Sequence, residues 1–151
     1  MSPKCHLLLA MAILAAAGSA ASAEPLKRIT TQPGRLTSLD YYYSLNVDCS
    51  LKGEPALEIT KSPQHGELSM AVTENYPNFA KNTTYHRCNK WRVPTTQLYY
   101  RSAPSYTGYD AIAADISFPD GETSTATFEV WVANGPLHHL VTSGKMKPRH
   151  R

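Results

Sequence analysis

The stretch DAIAADISFPDGETSTATFEVWVA, residues 110–133, holds two runs of strict alternation around one turn signal. In the first run Ile112, Ala114, Ile116 and Phe118 fall on one side, against Ala113, Asp115 and Ser117. In the second, Ala126, Phe128, Val130 and Val132 oppose Thr127, Glu129 and Trp131. A period of two is the spacing of a strand with one buried face. Between the runs, Pro119-Asp120-Gly121 supplies the preset φ and the glycine of a chain reversal, so the pair predicts an antiparallel hairpin. Trp131 is predicted to face away from the core stripe.

The same period recurs upstream. From Asp40 to Ser50, Tyr41, Tyr43, Leu45, Val47 and Cys49 share one parity. This predicts a half-buried strand with Cys49 on its core face and Tyr42 pointing outward. Ala56 to Lys61, Glu67 to Thr73 and Gln97 to Arg101 are shorter candidates bounded by Pro, Gly or Asn, and Pro63 with Gly66 marks a second hairpin loop over Lys61 to Gly66. Apolar spacing of three and four, the mark of a helix, is not sustained anywhere after the N-terminal leader. Short strands with frequent turns predict an all-β sandwich, with Tyr76 to Arg92 as its least regular part.

The leader is the first 23 of the 151 residues. Lys4, the apolar run Leu7 to Ala17 and the small residues Ala21-Ser22-Ala23 have the three-part form of an export signal, with cleavage expected before Glu24. Eleven apolar residues are well short of the roughly 20 needed to cross a bilayer, so no transmembrane segment is expected in the mature chain. The mature protein is expected in an oxidising space, the periplasm or outside the cell. Its two cysteines, Cys49 and Cys88, are expected to pair there. Closing that loop contributes about 3–4 kcal/mol in the chain-entropy model. A redox or metal thiol is disfavoured, because no Cys-x-x-Cys pair exists and no histidine follows either cysteine at ligand spacing.

With 42% hydrophobic and 18% charged residues in the whole sequence, the chain can build one modest core and no fibrous array. The expected partition is a removed leader (1–23), an N-terminal segment (24–35), one β-sandwich domain (36–134) and a basic, flexible tail (135–151). Lys145, Lys147, Arg149 and Arg151 give that tail its charge, while acids outnumber bases over residues 24–134. Attraction to an anionic partner is therefore expected to come from the tail.

Chemistry leaves little trace. His65, His86, His138 and His139 lack ligand spacing, and the adjacent pair would point to opposite faces of a strand. Gly-x-Ser-x-Gly and Ser-x-x-Lys are absent, phosphate-cradling glycine loops are absent, and Glu54 and Glu58 are the nearest approach to paired acids. A copper-dependent polysaccharide oxygenase would need a histidine at the new N-terminus, where cleavage exposes Glu24. No catalytic residue, metal, cofactor or nucleic-acid partner is expected. The aromatic residues Tyr42 and Trp131, if exposed, could stack on a sugar or dock a protein.

Pro63-x-His65-Gly66, then Tyr99-Tyr100, Pro104, Tyr106-x-Gly108-x-Asp110-x-Ile112 and the final hairpin together resemble the bacterial Ig-like, cadherin-like repeat domains, over roughly residues 36 to 134. The resemblance implies an Ig-like antiparallel β-sandwich of about seven strands, with adhesion or spacing rather than catalysis as its role. Pro63, His65, Gly66, Gly108 and Asp110 would be scaffold turns: the glycines for positive φ or close approach, Asp110 to accept loop amides. The chain departs from that family in holding one module and an expected disulfide, and it lacks the Asp-x-Asn-Asp-Asn linker, so calcium is not implied. A non-catalytic exported module with a structural or binding role in the envelope or outside it is the expectation, its partner, an unidentified protein or an anionic envelope polymer, left open. The alternative is a periplasmic metal-handling protein using those histidines with Met70 or Met146.

Overall fold

The computed structural model describes residues 22–23 and 25–135. Residues 1–21 of the expected leader and Glu24 lie outside that set, as do residues 136–151 with His138, His139, Lys145, Met146, Lys147 and Arg149. The chain folds as an all-β sandwich; the described residues form ten strands, several very short, and one 3₁₀ helix. In chain order the strands are β1 (Ser22–Ala23), β2 (Lys27–Thr31), β3 (Leu36–Tyr42), β4 (Ser44–Leu45) and β5 (Leu51–Gly53). They continue with β6 (Ala56–Lys61), β7 (Gly66–Asn75), β8 (Val93–Ser102), β9 (Gly108–Ser117) and β10 (Thr123–Val132). One sheet orders β6, β9, β10 and then β1 and β2, one after the other along the outer edge of β10. The other orders β3-β8-β7, and β4 with β5 forms a separate hairpin.

The hairpin of the quoted stretch is β9–β10, paired from Thr123↔Ser117 to Val132↔Gly108 without a register shift. Its turn is closed by Phe118 N–H donating to Glu122 O at 2.8 Å and by Gly121 N–H donating to Phe118 O. Alternation there sends Ile112, Ile116, Ala126, Phe128, Val130 and Val132 into the core, where they meet Leu39, Tyr42, Leu98 and Tyr100 from the opposite sheet.

Four expectations are corrected. The 40–50 strand ends at Leu45, because Asn46 and Asp48 turn the chain. Asp48 Oδ1 accepts from Ser50 N–H at 3.0 Å and from Ser50 O–H at 2.6 Å, and Cys49 takes a φ of +71°. The phase of the alternation is also reversed at the tyrosines, whereas Leu45 is buried as expected. A register shift between Ser38 and Asp40 puts Leu39 and Tyr42 in the core, so Tyr41 and Tyr43 are the outward residues. The turn over Ser62 to His65 does not close a hairpin: β6 pairs with β9 and β7 with β8, so it carries the chain from one sheet to the other. Finally the sandwich is not wholly antiparallel, since β2, inside the N-terminal segment, runs parallel to β10 from Lys27↔Phe128 to Thr31↔Val132.

One side of the sandwich is clamped. Lys27 on β2 forms an ion pair with Asp40 on β3, and the hydroxyls of Thr31 and Thr37 meet at 2.5 Å. On the face of β8 that points away from the core, Gln97 Nε2 donates to Ser38 Oγ at 2.5 Å, Thr73 O–H donates to Gln97 Oε1 at 2.7 Å, and Asn75 Nδ2 donates to Thr95 Oγ1 at 2.8 Å. These bonds hold β3, β8 and β7 in one register, and the pairing satisfies polar groups that are nearly buried.

Candidate functional site

Two constellations stand at opposite ends of the sandwich. At the end where β7 begins, Asp110 is almost fully buried and accepts Gln64 N–H at 2.8 Å, His65 N–H at 2.9 Å and the Tyr100 hydroxyl at 3.1 Å. The His65 ring stacks on Tyr106, centroids 4.1 Å apart, and Tyr106 O–H donates to Tyr109 O at 2.7 Å. Gly66 must be glycine for space: a Cβ there would lie 2.4 Å from Tyr100 Cε2 and 2.6 Å from Arg101 O. Gly108 has a φ of +138°, a region closed to L side chains. The two turn motifs are thus one knot, built from residues some 45 positions apart. Burial, then the bond to Asp110, pushes the Tyr100 phenol well above its ordinary range. Beside the knot a cavity of about 570 Å³ opens among Gly34, His65, Glu67, Arg101 and Pro104.

At the other end the chain from Tyr76 to Arg92 folds into a cap around the 3₁₀ helix Thr84–Lys90. The Cys49–Cys88 disulfide, Cα atoms 5.4 Å apart, ties the cap to the β4–β5 hairpin. Cys88, Leu45 and Val93 form a second small core, with Tyr43, Cys49 and Phe79 packed on it. Asn89 closes the cap by accepting Phe79 N–H at 3.0 Å and donating to Phe79 O at 2.9 Å, and Arg87 donates to Val47 O. An aromatic row follows: Tyr41 stacks against Tyr43, Tyr43 meets Phe79 edge-on, and Phe79 stacks on Tyr85 at 5.1 Å. Tyr41 O–H donates to Tyr76 O, and Tyr43 Oη accepts Asn78 N–H at 2.8 Å. Burial raises the Tyr43 phenol above its ordinary value, with the Asn78 bond acting against it.

Two adjoining clefts follow this row. One, of about 470 Å³, runs past Lys27, Asp40, Tyr41 and Asn78, and the other, of about 290 Å³, past Phe79, Tyr85, Asp120 and Glu122. Tyr43 and Phe118 border both. On the outside of the cap Tyr76 and Trp91 are each more than half exposed, and the Arg92 guanidinium lies 5.4 Å from the Tyr76 ring. Lys81, Arg87, Lys90 and Arg92 are exposed, and no acid occurs between Tyr76 and Arg92. Carboxylates do border the cap's inner side, Asp120 and Glu122 beside Phe79 and Tyr85, and Asp48, near Arg87, is held below its usual range mainly by Ser50, with Arg87 adding to that.

The residues proposed from sequence as a binding surface are not brought together. Tyr42 is a core residue, and Trp131 stacks on the exposed Tyr109 at 5.7 Å beside Gly108, at the knot end. Lys145, Lys147 and Arg149 lie outside the described residues. His65 and His86 are separated by the length of β7, about 30 Å at strand rise. Among the described residues no group of three or more His, Cys, Asp and Glu side chains converges as a metal site. The residues that do cluster are Tyr41, Tyr43, Tyr76, Phe79, Tyr85 and Arg92; the last four carried a signal in sequence, basic and aromatic residues interleaved without an acid from Tyr76 to Arg92. No helix among the described residues is long and apolar enough to cross a membrane. Comparison with protein-family models, with curated proteins and with solved structures finds no match to the chain.

Proposed function

We propose that the protein is a non-catalytic, exported Ig-like module that binds an anionic polymer of the cell envelope, and that the disulfide-tied cap is its binding end. The observation that carries this reading is the composition of the cap segment: Tyr76 with the Arg92 guanidinium over its ring, and Trp91, Lys81, Arg87 and Lys90 all exposed, with no acid from Tyr76 to Arg92. Basic side chains supply long-range attraction to a chain of negative charges, and flat aromatic faces supply stacking on sugar rings. The remaining described residues carry more acids than bases, so the field of the molecule orients an anionic polymer toward the cap. Rigidity supports the assignment as well: a loop held by a disulfide and its own small core loses little entropy when it binds.

Isothermal titration with heparin, a polyuronate and neutral dextran tests it. The expected result is binding to the two polyanions that weakens as salt is raised, and none to dextran. The Lys90→Glu/Arg92→Glu variant is expected to lose at least tenfold in affinity, and Trp91→Ala a smaller factor, with far-UV circular dichroism unchanged. The reading is overturned if Lys145→Glu/Lys147→Glu in the tail abolishes binding while the cap variant leaves it intact. Absence of binding to every polyanion overturns it too.

A further inference from the structure

We propose that β7 is the interface of a two-fold dimer, in which it pairs edge to edge with β7 of a second copy of this chain. An exposed sheet edge offers a row of unpaired N–H and C=O groups, and natural edges are blunted by brevity, lysine, proline or a bulge. The other long edges here follow that rule. The register of β3 shifts between Ser38 and Asp40, that of β6 shifts between Ile59 and Lys61 where the strand ends on a lysine, and β2 is only five residues long. β7 has none of these four, and its two charged residues, Glu67 and Glu74, stand near its ends. It pairs with β8 over ten consecutive residues, Gly66↔Ser102 to Asn75↔Val93, without a shift, a proline or a lysine.

Its side chains point the same way. Met70 lies opposite Leu98, which is fully buried, so Met70 and Val72 stand on the core-facing side of the sheet. They are nonetheless 52% and 59% exposed. The reason is that β6 and β7 are both outermost strands on the same side of the sandwich, and among the described residues no ion pair or side-chain hydrogen bond joins them. That side is an open seam, in contrast to the clamped β2–β3 side.

The strand complements itself. In an antiparallel pair related by a two-fold axis, opposed residues share a face of the sheet, and the register centred on Ala71 satisfies this. It sets Met70 of each copy against Val72 of the other, Ser69 against Thr73, Glu67 against Asn75, and Leu68 against the aliphatic stem of Glu74. No two like charges are opposed, which is what a cross-strand pairing requires. The three-stranded sheet becomes a continuous six-stranded one, and the open seams of the two copies meet at the axis.

Sedimentation equilibrium over a dilution series is the test, with cross-linking as a second readout. The expected result is a reversible species of twice the monomer mass, lost in Met70→Lys/Val72→Lys while the circular dichroism stays that of the parent. Directly opposed residues in an antiparallel pair have Cα atoms about 4.5–5.5 Å apart, within disulfide reach. Ala71→Cys should therefore oxidise to a covalent dimer, and Ser69→Cys, which would face Thr73, should not. A monomer at every concentration overturns the proposal, as does a dimer that survives the double lysine variant. Cross-linking at position 69 in preference to 71 overturns the register and with it the interface.

Discussion

Replacing Asp110 by asparagine keeps the side chain's volume and removes its charge, which isolates the knot that joins the two turn motifs. Oδ1 receives the Gln64 N–H, while Oδ2 receives both the His65 N–H and the Tyr100 hydroxyl. A carboxamide has one oxygen, so whichever way it turns, its NH₂ confronts a backbone N–H, and the remaining bonds lose their charge assistance. A hydrogen bond to a charged acceptor contributes about 1.5–3 kcal/mol. Gln64 and His65 are exposed residues, so water replaces part of what their N–H groups lose, whereas the Tyr100 ring is fully buried. The expected loss is thus about 2 kcal/mol for Asp110→Asn and about 3 kcal/mol for Asp110→Ala. The former corresponds to a Tm lower by about 8 °C for a domain of this size. Urea unfolding followed by tryptophan fluorescence at neutral pH measures both. A double-mutant cycle with Tyr100→Phe should return a coupling of about 1 kcal/mol, since that hydroxyl acts through Asp110. A stability within about 0.5 kcal/mol of the parent for Asp110→Asn would refute the assignment of Asp110 as the residue that holds the turn.

Two further outcomes follow from the same geometry. Cys49→Ser/Cys88→Ser releases a closure spanning 39 residues and should lower stability by about 4 kcal/mol in the chain-entropy model, with amide exchange rising first in the cap; a change confined to the sheets would contradict the cap's dependence on the disulfide. At alkaline pH the Tyr100 phenol, raised by burial and then by its bond to Asp110, favours the neutral form in the folded state. The stability it contributes is complete below the ordinary value of 10.0 and is lost as pH climbs from there toward the folded value, so urea midpoints should fall above pH 10 and Tyr100→Phe should flatten that fall.

Within the chain, local order was legible wherever a short-range pattern is sufficient cause. Alternation around Pro119-Asp120-Gly121 specifies the β9–β10 hairpin, because the period, the turn residues and the burial all lie within one local segment. The pairing of Cys49 with Cys88 needs only two thiols and an oxidising space. Glycine at position 66 and aspartate at 110 could be recognised as turn residues, although their shared knot could not, since it depends on β8 passing beneath both turns with Tyr100.

What the tertiary structure alone decided is phase, partner and clustering. A period of two says that alternate residues share a face but not which face is the core. One extra residue at Leu39 inverted the answer, burying Tyr42 and turning Tyr41 and Tyr43 outward into the aromatic row. The 62–65 turn reads the same whether the flanking strands pair with each other or enter different sheets, and only β8 and β9 determine the second outcome. Likewise the parallel contact of β2 with β10 joins residues about a hundred positions apart, beyond any local signal. The cap's basic and aromatic residues were visible as a composition in sequence. Their attachment to this end of the sandwich required the Cys49–Cys88 bridge and the Tyr41–Tyr76 bond, which join segments 39 and 35 positions apart.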